Sequence, residues 1–244
     1  MQKDRSFLDN YKYVFDPDGV YGASQNKPDL DPLKYAGIVR KYHPEFTDEQ
    51  IKKLIHKART EGCGYAACVN TVFLRFYGEE EKYREHFGFP MFTDDGKLNF
   101  EELFVDFYCA TDNHIPYLWF DCIDHHEDDN FENGYGTTDS SREWRFETYM
   151  KKHGVPVNVV QISAGPKNIL WRLSLSPVIV SVRPNILYDA DGKQVFSSEN
   201  GHSMSVTGVG ANDLIRVSSW GREYYIRHGS YERYETYQQV FYKK

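Results

Sequence analysis

Hydrophobic and polar residues follow two different periods along this chain. Up to about residue 154, apolar residues recur every three or four positions, as Ile51, Leu54, Ile55 and Ala58 do, which predicts amphipathic helices. Beyond residue 154, short β-branched and aromatic runs are separated by turn residues, which predicts strands. Helices first and strands later predict an α+β fold, in which a helical N-terminal layer packs on a C-terminal antiparallel β-sheet with a crevice between them.

Cap residues set the ends of the predicted helices. Asp31 before Pro32 is a favourable helix start, and Thr47 with Gln50 has the spacing of a capping box. The helix over 65–77 carries apolar residues around much of its circumference, which is typical of a helix buried on most sides. The predicted helices cover about 31–41, 47–60, 65–77, 79–86, 100–108 and 142–153.

The second half of the chain is predicted to form short strands joined by turns. Asp191-Gly192 is a strong hairpin signal between two of these runs. The acidic stretch over 112–141, rich in Gly, Asn and Asp, is predicted to be a surface excursion. The predicted strands cover 155–162, 177–182, 203–209, 214–218 and 223–226.

The chain divides into a short leader and one domain. Residues 1–28 mix glycine and proline with aromatic residues, which predicts an irregular leader that lies on the body of the domain. The domain covers 29–244, with a helical part of about 29–154 and a β part of about 155–244. One catalytic core is expected from this length.

Composition and charge exclude several classes of protein. An apolar fraction of 40% with 16% aromatic residues is that of a packed globule. The net charge is −7 and the basic residues are scattered, which argues against nucleic acid as the main partner. No run of about 18 apolar residues occurs, so no membrane span is predicted. Residues 1–10 show no export signal, so the chain is expected to be cytoplasmic or a piece of a larger protein.

One cysteine has a setting that suits a nucleophile. Cys63 lies at the predicted N-terminus of the buried helix, where backbone dipoles lower the pKa of a thiol. Gly62 and Gly64 leave room for a substrate backbone and expose N–H groups as oxyanion donors. A buried helix-cap cysteine with a structural role stays open at this point. The four cysteines, which have neither disulfide-scaffold nor metal-knuckle spacing, are Cys63, Cys68, Cys109 and Cys122.

A histidine at the start of a predicted strand supplies the second half of the candidate site. His202 precedes the strand over 203–209, and the next predicted strand ends at Ser218. If the two strands are adjacent, the end of the second lies against the imidazole, as the orienting group of a catalytic base does. Ser219 is the rival of Ser218, but neighbouring side chains on a strand point to opposite faces, so only one of them can meet the imidazole.

These segments resemble those of the papain-like cysteine peptidases, especially the branch that includes the bacteriocin-leader peptidases. The order of the motifs agrees over roughly the last three-quarters of the chain. The resemblance implies a papain-like fold with Cys63 as the nucleophile, His202 as the base and Ser218 as the third member of the triad. The segments that carry it are Gly62-Cys63-Gly64-Tyr65-Ala66-Ala67, similar to the nucleophile turn, Gly201-His202 through Val209, similar to the base strand, and Val217-Ser218-Ser219-Trp220-Gly221, similar to the Asn-Ser-Trp-Gly motif.

A narrower set of segments resembles the C-terminal toxin domains of secreted bacterial polymorphic toxins of the LXG type. This resemblance implies a domain that is secreted or delivered into target cells as part of a larger protein. It also implies a peptide or protein substrate and a cognate immunity protein as partner. The segments are Glu61-Gly62-Cys63-Gly64-Tyr65, Phe87-Gly88-Phe89-Pro90, Val105-Asp106-Phe107-Tyr108, Ala110-Thr111-Asp112-Asn113-His114 and Ser218-Ser219-Trp220-Gly221.

Two positions depart from the papain-like pattern. Ser218 stands where the superfamily has Asn, or Asp in the leader peptidases, and a hydroxyl offers no charge to favour imidazolium. Lys57 stands where these enzymes usually place a Gln that helps to hold the oxyanion. The backbone N–H of Cys63 is then the one assigned oxyanion donor. Trp220 is expected to shield the His202 contact from water.

No metal and no cofactor are predicted. The loop around Gly96 is not a calcium loop, because with this glycine at the sixth position the first and third ligands would be Met91 and Thr93. The stretch over 122–128 contains metal-binding residue types without spaced pairs and is predicted to be a solvated acidic loop.

The sequence therefore predicts a thiol hydrolase that cleaves a peptide or amide bond through an acyl-enzyme, with Cys63, His202 and Ser218 as the catalytic residues. Two alternatives stay open. One is a deamidase or a transglutaminase-type acyl transferase, which uses the same residues. The other is a catalytically silent papain-like binding module, which Ser218 and the absent Gln make credible.

Overall fold

Eight α-helices are present in the residues that a computed structural model describes, which are 7–15, 20–111 and 138–243. Three 3-10 turns accompany them, at Pro28–Leu30, Pro32–Tyr35 and Ala211–Asp213. The helices are α1 (Phe7–Val14), α2 (Ala36–Tyr42), α3 (Asp48–Glu61), α4 (Cys63–Phe76), α5 (Glu80–Phe87), α6 (Phe100–Thr111), α7 (Asp139–Lys152) and α8 (Ile169–Leu175).

Eight strands in the described part of the chain form one sheet. Its order is β1-β8-β2-β5-β6-β7-β3-β4, and each of the paired strands is antiparallel to its neighbour. The predicted combination of helices with an antiparallel sheet is therefore confirmed, and the fold is a mixed α and β fold. The strands are β1 (Val157–Ile162), β2 (Val178–Arg183), β3 (Asn185–Tyr188), β4 (Gln194–Ser198), β5 (His202–Val209), β6 (Leu214–Ser219), β7 (Arg222–Arg227) and β8 (Tyr234–Tyr242).

Helices contact both faces of this sheet. Gln238 and Gln239 are neighbours on β8 and therefore point to opposite faces. Gln238 Oε1 accepts a hydrogen bond from Arg142 Nε of α7 at 3.0 Å, and Gln239 Nε2 donates to the carbonyl oxygen of Arg172 on α8 at 2.8 Å. We call these the α7 face and the α8 face. Ser205 of β5 and Gln238 of β8 both pair with Ile179 of β2, so the Ser205 side chain also points to the α7 face. Its hydroxyl donates to the Ala67 carbonyl of α4, so α4 covers this face as well.

The two helices that lead to the candidate nucleophile form as the sequence predicts. The Thr47 hydroxyl accepts from the Gln50 N–H at 3.3 Å and the Gln50 side chain accepts from the Thr47 N–H at 2.9 Å, which is the predicted capping box of α3. In α4, twelve of fourteen residues are buried. That degree of burial explains why apolar residues surround the helix instead of forming one stripe.

The helix predicted over 31–41 is wrong in its first half. The chain makes 3-10 turns at Pro28–Leu30 and Pro32–Tyr35 and becomes α-helical from Ala36 onward. The Asp31 side chain makes no capping hydrogen bond there. Without that bond the first N–H groups of an α-helix lose their main side-chain partner, and the tighter 3-10 turns replace it.

Several elements were not predicted. The leader was expected to be irregular, but α1 forms because Asn10 Nδ2 donates to the Leu74 carbonyl of α4 at 2.8 Å and Val14 is buried. Such a short helix is stable through packing and not through propensity. The strand β8 was missed because Gln238 and Gln239 interrupt its apolar pattern, although both are buried. The strands β3 and β4 flank the predicted Asp191-Gly192 turn, and α8 was not predicted.

None of the described helices is long and apolar enough to cross a bilayer. Most of the acidic stretch predicted to be a surface excursion, residues 112–137, lies outside the described residues.

Candidate active site

A single glycine joins α3 to α4 and brings Cys63 to the first position of α4. A Cβ on Gly62 would collide with the carbonyl oxygen of Ala58 and would lie 2.6 Å from the Phe104 ring. The Gly62 N–H donates to the Ala58 carbonyl at 2.8 Å and so completes α3. The N–H groups of the first turn of α4 have no partner within the helix. The predicted position of Cys63 at the N-terminus of a buried helix is confirmed.

Cys63 is a half-buried residue, and hydrogen-bond donors surround its sulfur. Burial raises its pKa, while the backbone N–H of Ser203, the charge of Arg142 and the backbone N–H of Gly64 partly offset that rise. The Ser203 hydroxyl also contacts the sulfur. Cys63 therefore has the surroundings of a thiolate site, although the uncharged thiol is favoured at rest.

The neighbouring cysteine on α4 has a different environment. Cys68 is 1% exposed, and burial raises its pKa to about 12. Cys109 is buried as well. Buried cysteines in structural positions are inert, so Cys63 is the accessible cysteine among those of the described chain. Cys122 lies outside the described residues.

The candidate base is held between a hydroxyl and an indole ring. His202 begins β5, and its Nε2 lies 2.6 Å from Ser219 Oγ. The imidazole stacks on Trp220 with ring centroids 4.6 Å apart. Trp220 adopts a left-handed backbone with φ of 51° because it forms, with Gly221 at φ 73°, the two-residue turn that joins β6 to β7. The expectation that Trp220 covers His202 is confirmed.

Burial decides the protonation state of this imidazole. His202 is 6% exposed, and burial lowers its pKa to about 3. Its hydrogen-bond partner is a hydroxyl, which supplies no negative charge to favour the imidazolium. His202 is therefore neutral near pH 7, and Nδ1 makes no hydrogen bond within the described part of the chain.

The prediction that Ser218 contacts the imidazole is wrong. Ser218 pairs with Ser205 in the sheet and therefore points to the α7 face, where its hydroxyl donates to the carbonyl oxygen of Tyr21. Alternation along β6 does admit only one of the two serines, as predicted, but the serine on the histidine side is Ser219.

The leader is the physical reason for this difference. Residues 21–25 are buried between α4 and the sheet, and the Ala23 N–H donates to Asn70 Oδ1 at 2.7 Å. Gly22 has φ of 82°, and a Cβ there would lie 2.6 Å from Ser218 Oγ. The Ser218 hydroxyl thus satisfies a buried backbone carbonyl and is not available to the imidazole.

The thiol and the imidazole are not joined by a hydrogen bond in the described structure. Ser203 contacts the sulfur on the α7 face, and His202, the preceding residue of β5, points to the α8 face. The structure therefore brings Cys63 to the start of β5 and brings His202 to Ser219. It does not bring the sulfur and the ring into contact.

A buried arginine beside the site was not identified from the sequence. Arg142 is 3% exposed and donates to Ser203 Oγ at 2.7 Å and to Asp139 Oδ1 at 2.7 Å. Burial disfavours the Asp139 carboxylate, but Arg142 and the hydroxyls of Thr236 and Ser181 outweigh that effect and hold its pKa below the ordinary value. The sequence shows only an Asp and an Arg in a first helical turn, which is common on solvated helices.

A tyrosine at the same place was missed because β8 was missed. The Tyr234 hydroxyl lies over Gly201, where it leaves no room for a Cβ. Burial raises the pKa of Tyr234, and the nearby charge of Cys63 raises it further. Tyr234 is thus a neutral donor at the edge of the candidate site, and it is 39% exposed.

Lys57, which stands where papain-like enzymes usually place the oxyanion Gln, has a structural contact. Lys57 Nζ lies 3.4 Å from Glu61 Oε1, one turn further along α3. The Tyr108 hydroxyl donates to the same carboxylate. Lys57 therefore holds the end of α3, and the backbone N–H groups of Cys63 and Gly64 are the donors at the start of α4.

No protein-family model, curated protein or solved structure matches this chain. The chemistry of the site is therefore argued from its own residues. Among the residues that the structure describes, no group of three His, Cys, Asp or Glu side chains is arranged to hold a metal ion. The stretch over 122–128, which contains metal-binding residue types, lies outside them.

If the chain is the thiol hydrolase that its sequence predicts, replacing Ser219 with alanine is expected to lower kcat/KM, while replacing Ser218 with alanine is not. Loss of the Ser219 contact frees the ring without removing a charge, so the loss should be smaller than the ~10⁴-fold that follows neutralisation of a protease triad aspartate. Ser218→Ala should instead lower the free energy of unfolding by about 1–3 kcal/mol, because the Tyr21 carbonyl loses its partner.

Steady-state kinetics and urea unfolding of the two variants measure these two effects. A kinetic loss confined to Ser218→Ala would show that the side chains exchange roles when substrate binds.

Proposed function

We propose that this chain is a papain-like cysteine hydrolase that cleaves peptide or side-chain amide bonds through an acyl-enzyme at Cys63. The observation that carries the proposal is the position of the thiol. Cys63 begins a buried helix, is partly exposed, and accepts hydrogen bonds from the N–H groups of Gly64 and Ser203. Such donors lower the cost of a thiolate and then of an oxyanion.

In the proposed reaction, the thiol proton passes to the neutral imidazole of His202 and the Cys63 sulfur attacks the carbonyl carbon. The tetrahedral oxyanion accepts from the first-turn N–H groups of α4. Collapse breaks the C–N bond, and the imidazolium gives its proton to the leaving amine. Water then attacks the thioester, its proton passes to His202 and on to the departing sulfur, and the acid is released.

The proposal requires a rearrangement at the start of β5, because alternation along the strand points the His202 side chain away from α4. His202 stands at the first residue of β5 and follows Gly201, so its ring has to turn around the end of the strand for Nδ1 to reach the sulfur. Catalytic hydrogen bonds are often long or misaligned without substrate. We expect substrate binding to favour a conformation of the first residue of β5 in which the ring points toward α4.

One observation favours a second candidate function. The imidazole and the thiol lie on different sides of β5, and His202 is bonded to Ser219 and covered by Trp220. A catalytically silent papain-like module that binds a peptide without cleaving it would tolerate this arrangement.

Deamidation and transglutamination use the same acyl-enzyme and differ only in the substrate amide and in the acceptor.

The proposed partners follow from the resemblance to LXG-type toxin domains. We infer a protein substrate in a target cell, delivery as part of a larger secreted protein, and an immunity protein that binds this domain. Covering the exposed side of Cys63 would be the simplest way for such a protein to inhibit it.

Alkylation of the native protein separates the hydrolase from the silent module. Among the three cysteines of the described chain, iodoacetamide or E-64 at near-neutral pH is expected to modify Cys63, which peptide mapping by mass spectrometry identifies. Cys68 and Cys109 serve as internal controls because both are buried. An unmodified Cys63 in folded protein would favour the binding module. New protein termini in treated cell extracts would then distinguish a peptidase from a deamidase.

A further inference from the structure

A fixed guanidinium lies next to the candidate nucleophile on the α7 face. Arg142 uses all five of its N–H groups, which is the full donor capacity of the side chain. Two of these bonds go to Gln238 of β8 and one goes to Asp139, which lies one helical turn before Arg142 on α7. The charge is thus held in one position by two elements that do not carry Cys63.

Ser203 connects this guanidinium to the sulfur. The Ser203 hydroxyl accepts from Arg142 Nη1 at 2.7 Å and contacts the Cys63 sulfur, to which the Ser203 backbone N–H also donates. The Arg142 charge also reaches Cys68, but that thiol is fully buried and its pKa stays at about 12. Of the two cysteines on α4, Cys63 is therefore the one at which the charge and the hydrogen bonds act together.

We infer that Arg142 is the counter-charge of the Cys63 thiolate, positioned by Asp139 and Gln238 and bridged to the sulfur by Ser203. The inference rests on the proposed role of Cys63 as a nucleophile. It adds that a guanidinium, in place of an imidazolium, stabilises the charged sulfur after the thiol has lost its proton. His202 is then needed for proton transfer and not for the charge.

The other titratable groups around the sulfur do not supply a positive charge at this point. His202 is neutral near pH 7, and the Tyr234 phenol from β8 is neutral as well. The Asp139 carboxylate opposes a thiolate, and the Glu61 carboxylate from α3 is bonded to Tyr108. The positive charge of Arg183 acts on the Tyr234 phenol, whose pKa it lowers.

The pH dependence of alkylation tests the inference without any substrate. The rate of iodoacetamide reaction at Cys63, followed by mass spectrometry from acid to alkaline pH, gives the midpoint of thiolate formation. In Arg142→Met the midpoint is expected to rise by about one to three pH units, the usual effect of one close opposite charge. Arg145→Met, which removes a second buried arginine of α7, is the matched control and should not raise it.

Neutralising the partner carboxylate separates an electrostatic role from a structural one. In Asp139→Asn the guanidinium keeps its charge and loses its counter-ion, so the midpoint should fall. Damage to the fold would move the midpoint of both variants in the same direction. His202→Gln should leave the midpoint unchanged, with water taking the proton, even if turnover is lost.

An unchanged midpoint in folded Arg142→Met would overturn the inference. If Arg142→Met does not fold, Asp139→Asn alone decides, and an unchanged or raised midpoint there would overturn it. Failure of the proposed function has a different result, since a Cys63 that resists alkylation at every pH in the unsubstituted protein would remove the nucleophile itself.

Discussion

Replacing Cys63 with alanine is expected to lower kcat/KM on an amide substrate by a factor on the order of 10⁶, as removal of a nucleophile does in a hydrolase whose catalytic residues act as a unit. The variant should fold normally, since the thiol is partly exposed and the helix start is set by Gly62. Kinetics with a substrate found from the new termini in treated extracts, or loss of toxicity in an expressing cell, measures this effect.

The matched control lies one helical turn and a half further along α4. Cys68→Ala removes a buried sulfur from the same helix, so it should cost stability and leave kcat/KM almost unchanged. Activity that survives in Cys63→Ala and disappears in Cys68→Ala would reverse the assignment. Activity that survives in both variants would exclude thiol catalysis at α4.

Replacing His202 with glutamine is expected to lower kcat/KM by a factor of the same order, because without the imidazole no group moves a proton between the sulfur and the leaving amine. Effects of residues that act as a unit do not add. The double variant Cys63→Ala with His202→Gln should therefore be no slower than either single variant, which a comparison of the three rate constants would measure.

His228→Gln is a suitable control for this experiment. His228 also bonds a polar side chain, with Nδ1 2.6 Å from Glu235 Oε1, but it is exposed and its contacts are with Glu235 and Tyr237 instead of the candidate site residues. Its replacement should leave kcat/KM unchanged. A His202→Gln variant with nearly full activity would show that the ring does not turn toward Cys63, and the site would then require a different base.

The neutral imidazole distinguishes this site from a preformed ion pair. Burial lowers the pKa of His202 to about 3, and the Ser219 hydroxyl brings no charge that would restore it. The sequence already indicated a weak partner, because a serine stands at the position of Asn or Asp. An imidazole with a pKa of about 3 is a weak base, so the proposed proton transfer depends on the ring leaving its contacts with Ser219 and Trp220.

Local sequence patterns were sufficient to predict the start of a helix where the signals lie within the helix itself. The capping box of Thr47 and Gln50 predicted the start of α3, and the all-round apolar pattern after Cys63 predicted a buried helix that begins there. Both signals depend on neighbours within one or two turns. Tertiary packing therefore did not need to be known.

Residues that act across the sheet were not predicted. Arg142 resembles any arginine in the first turn of a helix until β2, β5 and β8 bring Ser181, Ser203 and Gln238 around it. Tyr234 lies on β8, whose two buried glutamines conceal the strand pattern. Their roles depend on strand pairings between distant segments, which the pattern of a single segment does not contain.

The sequence by itself determined the helical and β halves, the place of Cys63 at a helix start, and the rule that only one of two adjacent serines can meet His202. Which serine does so was decided by the tertiary structure. Residues 21–25 enter between α4 and the sheet, and the buried Tyr21 carbonyl takes the Ser218 hydroxyl. A buried carbonyl has to be satisfied, so Ser218 is held on the α7 face and Ser219 is left for the imidazole.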